Sequence, residues 1–184
     1  GNNGPARQTA NYEVETRAPT VSSVAITSAA GVQNSFVNEG DNVSVTATFS
    51  ETVNVDNSSG NPELTLVVGS DNRTATYASG DNSTQLVFRY TIKATGTLGE
   101  NDSNGISIPA DALALKGSTI RDPALNNAIL THSPLLDNSS YKVDTTLPTV
   151  RSVAITDAAG IQNSFVNAGD NVSVTVTFWE AVIV

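Results

Sequence analysis

The chain has 184 residues, of which 9 are Lys or Arg and 18 are Asp or Glu, so its formal net charge is −9. This acidic balance argues against a nucleic-acid-binding surface, which needs clustered basic side chains. Cysteine is absent, which excludes disulfides and thiolate metal sites. No apolar stretch approaches the ~20 residues that a membrane-spanning helix requires.

The predicted elements are short strands separated by turns rich in Gly, Asn, Asp and Ser. In chain order they lie at Val21–Thr27, 43–50, 63–68, Arg73–Tyr77, 85–92, Ile106–Ile108, Leu113–Leu115 and Tyr141–Val143. Apolar and polar residues alternate along the longer strands, which is typical of antiparallel sheets with one buried and one wet face. A single helical turn at Asp111–Lys116 is the alternative to a strand there.

This number of short strands predicts an antiparallel β-sandwich over Val21 to Val143. The residues predicted to form its core are Val45, Phe49, Leu66, Phe88 and Tyr90.

The most informative feature of the sequence is an internal repeat. Residues 21–55 and 150–184 are identical at 27 of 35 aligned positions, at an offset of 129 residues. This offset is too long for a solenoid unit of ~20–50 residues and suits an independently folding domain. We therefore interpret 1–18 as the last strand and linker of a preceding repeat, 19–147 as a complete repeat, and 148–184 as the N-terminal part of a following repeat.

Five motifs carry a resemblance to a known family: APTVSSVAIT, GDNVSVTATFSE, RTATYASG, IRDPALNNA and YKVDTTLPTV. Their order and spacing resemble the immunoglobulin-like tandem repeats of giant bacterial surface and biofilm adhesins, of the swimming-motility and RTX-adhesin type. The resemblance covers Tyr12 to Val184. It implies an all-β, immunoglobulin-like antiparallel β-sandwich repeated every 129 residues. It also implies an extracellular, cell-surface or secreted stalk, often stiffened by calcium.

Catalytic chemistry finds little support in the sequence. His132 is the only histidine and lies in a loop rich in Ser, Pro and Thr. A Ser-His-Asp triad is formally possible, but no Gly-x-Ser-x-Gly elbow, phosphate-binding loop or zinc ligand set is present. We predict that His132 is an exposed loop residue and that the chain is not an enzyme.

Calcium is the cofactor that the residues favour, because it takes 6–8 oxygen ligands. In an antiparallel sandwich, the linker, the end of the second strand and the loop before the last strand share one pole. The candidate metal ligands there are Glu15, Glu51, Asp81, Asp122 and Asn126, with Asp144 and Glu180 as the counterparts of Glu15 and Glu51 at the next junction. Alternatively, Arg121 balances these charges, or the acids are N-capping, turn-forming or solvated residues. The Asp71 and Asp102 loops are predicted to be plain turns.

The last segment differs from its earlier copy by replacement of polar residues with apolar ones. Ser50, Thr52 and Asn54 are replaced by Trp179, Ala181 and Ile183, which makes the final strand apolar on both faces. The residues predicted to mediate assembly are Phe178, Trp179, Val182, Ile183 and Val184. This apolar strand has three explanations: strand donation to another copy, a cut chain packed against a neighbour, or a variant packed on a loop.

Together these observations predict a non-catalytic structural repeat that acts as a stalk, an extender or a fibre-forming module. Its expected partners are neighbouring immunoglobulin-like repeats, or other copies of itself joined by strand donation. The alternatives are an adhesive module that binds carbohydrate or protein, and an accessory domain of a secreted enzyme. A single Trp argues against a sugar-stacking surface.

Overall fold

Strands provide all the regular secondary structure in the computed structural model, which describes residues 14–93 and 100–182. They are β1 (Val21–Ala30), β2 (Phe36–Val37), β3 (Asn42–Asp56), β4 (Glu63–Val68), β5 (Asp71–Ser79), β6 (Ser83–Thr91), β7 (Asn101–Asp102), β8 (Leu113–Ala114), β9 (Thr119–Arg121), β10 (Lys142–Asp144), β11 (Val150–Ala159) and β12 (Asn171–Phe178). These described residues contain no helix long and apolar enough to cross a membrane. The chain divides into two compact units, Gly1–Thr145 and Thr146–Val184.

The first unit is built on a curled sheet with strand order β1-β3-β6-β5-β4-β8, to which β9 adds by pairing with β3. A small sheet of order β2-β10-β7 accompanies it. The two sheets share one apolar cluster, because Val37 of β2 and Val143 of β10 belong to the same core as the main-sheet strands. The main sheet is antiparallel and the small sheet is mixed, because β2 pairs with β10 in parallel and β7 pairs with β10 antiparallel. This all-β arrangement is consistent with the predicted β-sandwich.

The longest strand, β3, has 15 residues and connects different parts of the sheet. Its first half pairs with β1 on one side and β6 on the other, while its last residues pair with β9. The register with β6 shifts between Thr48 and Val53. Such an irregularity bends a strand, and after it β3 leaves β6 and pairs with β9, outside the main strand order.

All five residues predicted to form the core are buried. Phe88 is fully buried on β6 and its ring meets that of Tyr77 edge to face, with the centroids 6.0 Å apart. Alternation therefore identified the inward face of the long strands correctly.

The prediction that the other face of the β3 segment is largely wet was wrong for its first half, whereas Thr48 is half-buried and Ser50 is exposed. Ser44 and Thr46 are buried, and the Thr46 hydroxyl lies 2.9 Å from that of Thr27 on β1. Because β3 lies between β1 and β6, neighbouring side chains cover its small polar residues on the outer face. The described residues at Asp111–Lys116 contain no helical turn, and β2, β7 and β9 were not predicted.

The second unit is a single hairpin in which β11 pairs with β12. Its register repeats that of β1 and β3: Val150 lies opposite Phe178 as Val21 lies opposite Phe49. Both hairpins also carry two register shifts at equivalent places. The two hairpins thus share one strand register.

The residues predicted to mediate assembly have different surroundings. Phe178 is half-buried, whereas Trp179 and Val182 are exposed. The guanidinium of Arg151 lies 4.8 Å from the centre of the Trp179 ring, which is within cation–π distance. Ile183 and Val184 lie outside the described residues, as do residues 1–13 of the predicted preceding strand.

The buried ring of Phe88 provides the first test of this core. Phe88→Ala should lower the free energy of unfolding by about 3–5 kcal/mol, because it leaves a cavity between packed strands. Arg89→Ala, on the exposed side of the same strand, should change it by no more than about 0.5 kcal/mol. Urea denaturation followed by circular dichroism measures both, and equal effects would contradict the assigned inward face.

Candidate functional site

The segment that enters the first unit is attached to the loop before the last strand. The side-chain amide of Asn126 donates to the carbonyl oxygens of Glu15 and Arg17, at 3.4 Å each, and to Asp122 Oδ2 at 2.7 Å. Asp122 is buried, and its Oδ1 accepts the backbone N–H of Asn126 at 2.8 Å. The linker and this loop therefore meet at one pole of the unit.

Two clefts flank this attachment. One, of about 140 Å³, is lined by Glu15, Arg17, Ser50 and Glu51. The other, of about 250 Å³, has three acids among its lining residues, Asp56, Asp81 and Asp122, together with Arg121. All five ligands predicted for the first junction thus lie at one pole, with Glu15 and Glu51 in one cleft and Asp81 and Asp122 in the other.

Two of these acids accept hydrogen bonds from backbone N–H groups. Glu15 Oε1 accepts the N–H of Arg17 at 2.6 Å, and Asp81 Oδ1 accepts the N–H of Val55 at 2.8 Å. Hydrogen bonds from Ser58 lower the pKa of Asp56. Among the described residues, no three acidic or histidine side chains converge closely enough to hold a metal ion. The carboxylate oxygens are therefore divided between the two clefts.

Arg121, the alternative partner for these charges, lies in the same cleft as Asp81 and Asp122. Its Nε donates to Asn127 Oδ1 at 2.8 Å. The guanidinium also helps to lower the pKa of Asp56, as a weaker cause than the hydrogen bonds from Ser58. A cationic side chain thus already contributes to the electrostatics of the larger cleft.

The ligands predicted for the second junction belong to separate units. Asp144 is half-buried on β10 of the first unit, whereas Glu180 is half-buried just after β12 of the second. The calcium-ligand roles of Asp144 and Glu180 stay predictions, each for its own unit.

A third cleft, of about 550 Å³, contains His132 together with Asp111 and Ser133. His132 is half-buried, so the prediction of an exposed residue was wrong. Its Nε2 accepts the N–H of Ala112 at 2.9 Å, which leaves the ring proton on Nδ1, 2.8 Å from the carbonyl oxygen of Ser133. Asp111 Oδ1 accepts the backbone N–H of His132. These contacts fix the ring between backbone groups, an arrangement unlike a nucleophile–base pair.

Sequence reasoning missed a buried charged cluster around Glu100. The Glu100 carboxylate accepts hydrogen bonds from Arg73 Nε, from the Tyr90 hydroxyl and, at 2.8 Å, from the backbone N–H of Lys93. Burial and the hydrogen bond to Glu100 raise the pKa of Tyr90. Burial alone would lower the pKa of Arg73, but the hydrogen bond and charge of Glu100 raise it. Arg73 and Tyr90 are distant from Glu100 in sequence, so no local sequence pattern predicts these contacts.

Asp102 has a comparable structural role in the predicted turn. The side chain is buried, and its Oδ1 accepts the N–H groups of Asn104 and Gly105 while Oδ2 accepts that of Gly69. Gly105 has φ of +104°, and a Cβ there would lie 2.0 Å from the carbonyl oxygen of Asn138. Asp71, by contrast, forms an ion pair with Arg73 at 3.1 Å. Asp102 therefore organises a loop of the fold, whereas the Asp71–Arg73 pair lies within β5.

Comparison of the chain with protein-family models, with curated proteins and with solved structures gave no match.

The Glu100 cluster predicts an asymmetry between two ion pairs of the first unit. Glu100→Gln should lower the free energy of unfolding by about 1.5–3 kcal/mol, because the carboxylate is buried and its hydrogen bonds are charge-assisted. Glu63→Gln, which breaks the pair between the half-buried Glu63 and the exposed Lys116 at 3.4 Å, should cost no more than about 1 kcal/mol. Denaturant titration of both variants at neutral pH makes the comparison. A larger loss for Glu63→Gln would contradict it.

Proposed function

We propose that this chain is a non-catalytic structural repeat of an extracellular bacterial surface protein, acting as a stalk, an extender or a fibre-forming module. The observation that carries the proposal is the duplicated hairpin, which has the same register in both copies at an offset of 129 residues. Tandem copies of one β-unit form an elongated protein, in which each copy adds to the length. The resemblance to immunoglobulin-like adhesin repeats supplies the surface location.

The acidic pole supports a role for calcium in this stalk. Glu51 and Asp81 are at least partly accessible and line the two clefts beside the linker. A cation bound there would attach the linker to the unit and reduce repulsion among the acids. Neighbouring repeats would then be held in a stiffer arrangement than a free linker allows.

Calcium binding is tested by thermal unfolding in calcium and in chelator. A cation that binds only the folded state should stabilise it by ~2.7 kcal/mol at a hundredfold excess over Kd. Glu51→Gln should reduce this calcium-dependent gain. Glu39→Gln, an exposed acid outside both clefts, changes the net charge equally and should retain the full gain. Identical melting curves with and without calcium would refute the cation's role.

Surface location is tested separately by antibody labelling of the source cells. Intact cells should label as strongly as permeabilised ones if the repeat lies outside the envelope. Labelling confined to permeabilised cells would overturn the extracellular proposal while leaving the fold unaffected.

A further inference from the structure

The cleft that contains His132 lies along an edge of the main sheet. Strand β1 is the terminal strand of that sheet and pairs with β3 on one side. The cleft is lined by residues 21–24 of β1 and by residues 131–134, together with Asp111. Its volume of about 550 Å³ is in the range of ligand-binding clefts in proteins. All of these residues belong to the first unit, so the cleft is formed within one unit.

The outer edge of β1 begins to pair with the segment that follows β9 and then stops. Ile129 N donates to Pro19 O at 2.8 Å, and Val21 N donates to Ile129 O at 3.3 Å. Thr20 and Ile129 thereby form a parallel bridge. Among the residues that the structure describes, no strand or bridge continues this pairing along β1 beyond Val21. The cleft therefore lies where two chain segments that begin to pair separate again.

Contacts with another part of the unit hold residues 131–134 in this position. The backbone N–H of His132 donates to Asp111 Oδ1 at 2.9 Å, and its carbonyl oxygen accepts the N–H of Asp111 at 3.3 Å. The imidazole ring accepts a further backbone N–H. Beyond this point, Leu135 and Ile108 exchange two backbone hydrogen bonds of 2.9 Å. The cleft is thus preformed, and a preformed site loses less conformational freedom on binding than a flexible one.

Short side chains line the cleft on both segments. Hydroxyl groups come from Ser22 and Ser23 of β1 and from Thr131 and Ser133. All four of these residues are exposed. Side chains of this length leave room for a second backbone at the ~4.8 Å spacing of neighbouring strands.

The charge of the cleft favours a cationic ligand. Of the described residues that line it, Asp111 is the one acid, and none is Lys or Arg. Asp111 is exposed, and its Oδ1 is the oxygen that accepts the His132 N–H, which leaves Oδ2 facing the ligand or solvent. The described residues of the first unit include 14 Asp or Glu and 7 Lys or Arg, a net charge of 7 − 14 = −7. This field attracts positive charge toward the cleft.

We propose that this cleft binds an extended, cationic peptide segment of a partner protein. The segment would add to the outer edge of β1 through backbone hydrogen bonds, which is how exposed sheet edges recognise peptides. It would direct a Lys or Arg side chain to Asp111. Because four consecutive residues of each segment line the cleft, about four peptide residues, or ~13 Å of strand, would be in contact.

A sugar suits this cleft less well. The described residues that line it include no Trp, Tyr or Phe on which a sugar ring could stack. The proposal adds a partner-binding site to the stalk function. It requires neither calcium nor a surface location, so its test can fail without theirs.

The probe is a library of random heptapeptides displayed on phage and selected on the full chain. Enriched sequences should contain Lys or Arg. Each is then synthesised and titrated into isotope-labelled chain, and the backbone amide shifts are recorded by NMR. Saturable shifts should map to residues 22–24 and 131–133. Amide hydrogen exchange within residues 22–25 should slow on binding, because new backbone hydrogen bonds protect the strand edge.

The charge contact is tested by Asp111→Asn. Asn keeps an oxygen for the His132 N–H and tolerates the φ of +55° at this position. The dissociation constant of a selected peptide should rise roughly fivefold. The matched control is Asp137→Asn, an exposed acid outside the cleft, which should leave it unchanged. Replacing the peptide's Lys or Arg by Gln should cause the same loss with the unaltered chain, which keeps the test decisive if Asp111→Asn is unstable.

Three results would overturn the proposal. One is a selection in which no enriched peptide shifts the amides of the cleft. Another is peptide binding at the cleft that is insensitive to both charge substitutions, or that leaves amide exchange in β1 unaltered. The last is a saturable shift of the same amides by a mixture of soluble oligosaccharides but by no peptide, which would assign the cleft to a glycan.

Discussion

The pairing of β3 with β6 is the interaction on which the first unit depends. It places Val45 opposite Phe88 in the centre of the sheet, and the core assembles on either side of that pair. Because side chains alternate between faces, a shift of one residue would move the whole apolar set of β6 to the outer face. Strands β1 and β9 pair with β3, and β5 pairs with β6, so each is in register with one strand of this pair.

The second unit shows what the hairpin retains without that pairing. The register of β11 with β12, the tight turns and the threonine contact across the strands are all kept. Positive backbone φ angles recur as well, at Asn34 and Ser35 in one copy and at Asn163 and Ser164 in the other. Local sequence therefore encodes the hairpin, whereas burial of its apolar face requires strands from elsewhere.

The sequence predicted the long strands and the inward core because those features follow from period-two alternation. The gathering of Glu15, Asp122 and Asn126 at one pole followed from the order of antiparallel strands. The Glu100 cluster was not predictable, since Arg73 lies 27 residues and Tyr90 10 residues away. Strand β9 was missed because three residues, Thr119–Arg121, are too few to show a period. The burial of Ser44 and Thr46 depends on flanking strands that local alternation cannot show.

The parallel pairing of β2 with β10 has a mechanical consequence. In a parallel pair, a pull toward the N-terminus on one strand and toward the C-terminus on the other slides them along their length. An axial load would therefore act in shear on the pairing of Phe36–Val37 with Lys142–Val143. It would act in the same way on the parallel bridge between Thr20 and Ile129. Hydrogen bonds loaded in shear share the force, whereas those at a peeled edge break one after another. The ends of the first unit are therefore tied together by contacts oriented to resist extension.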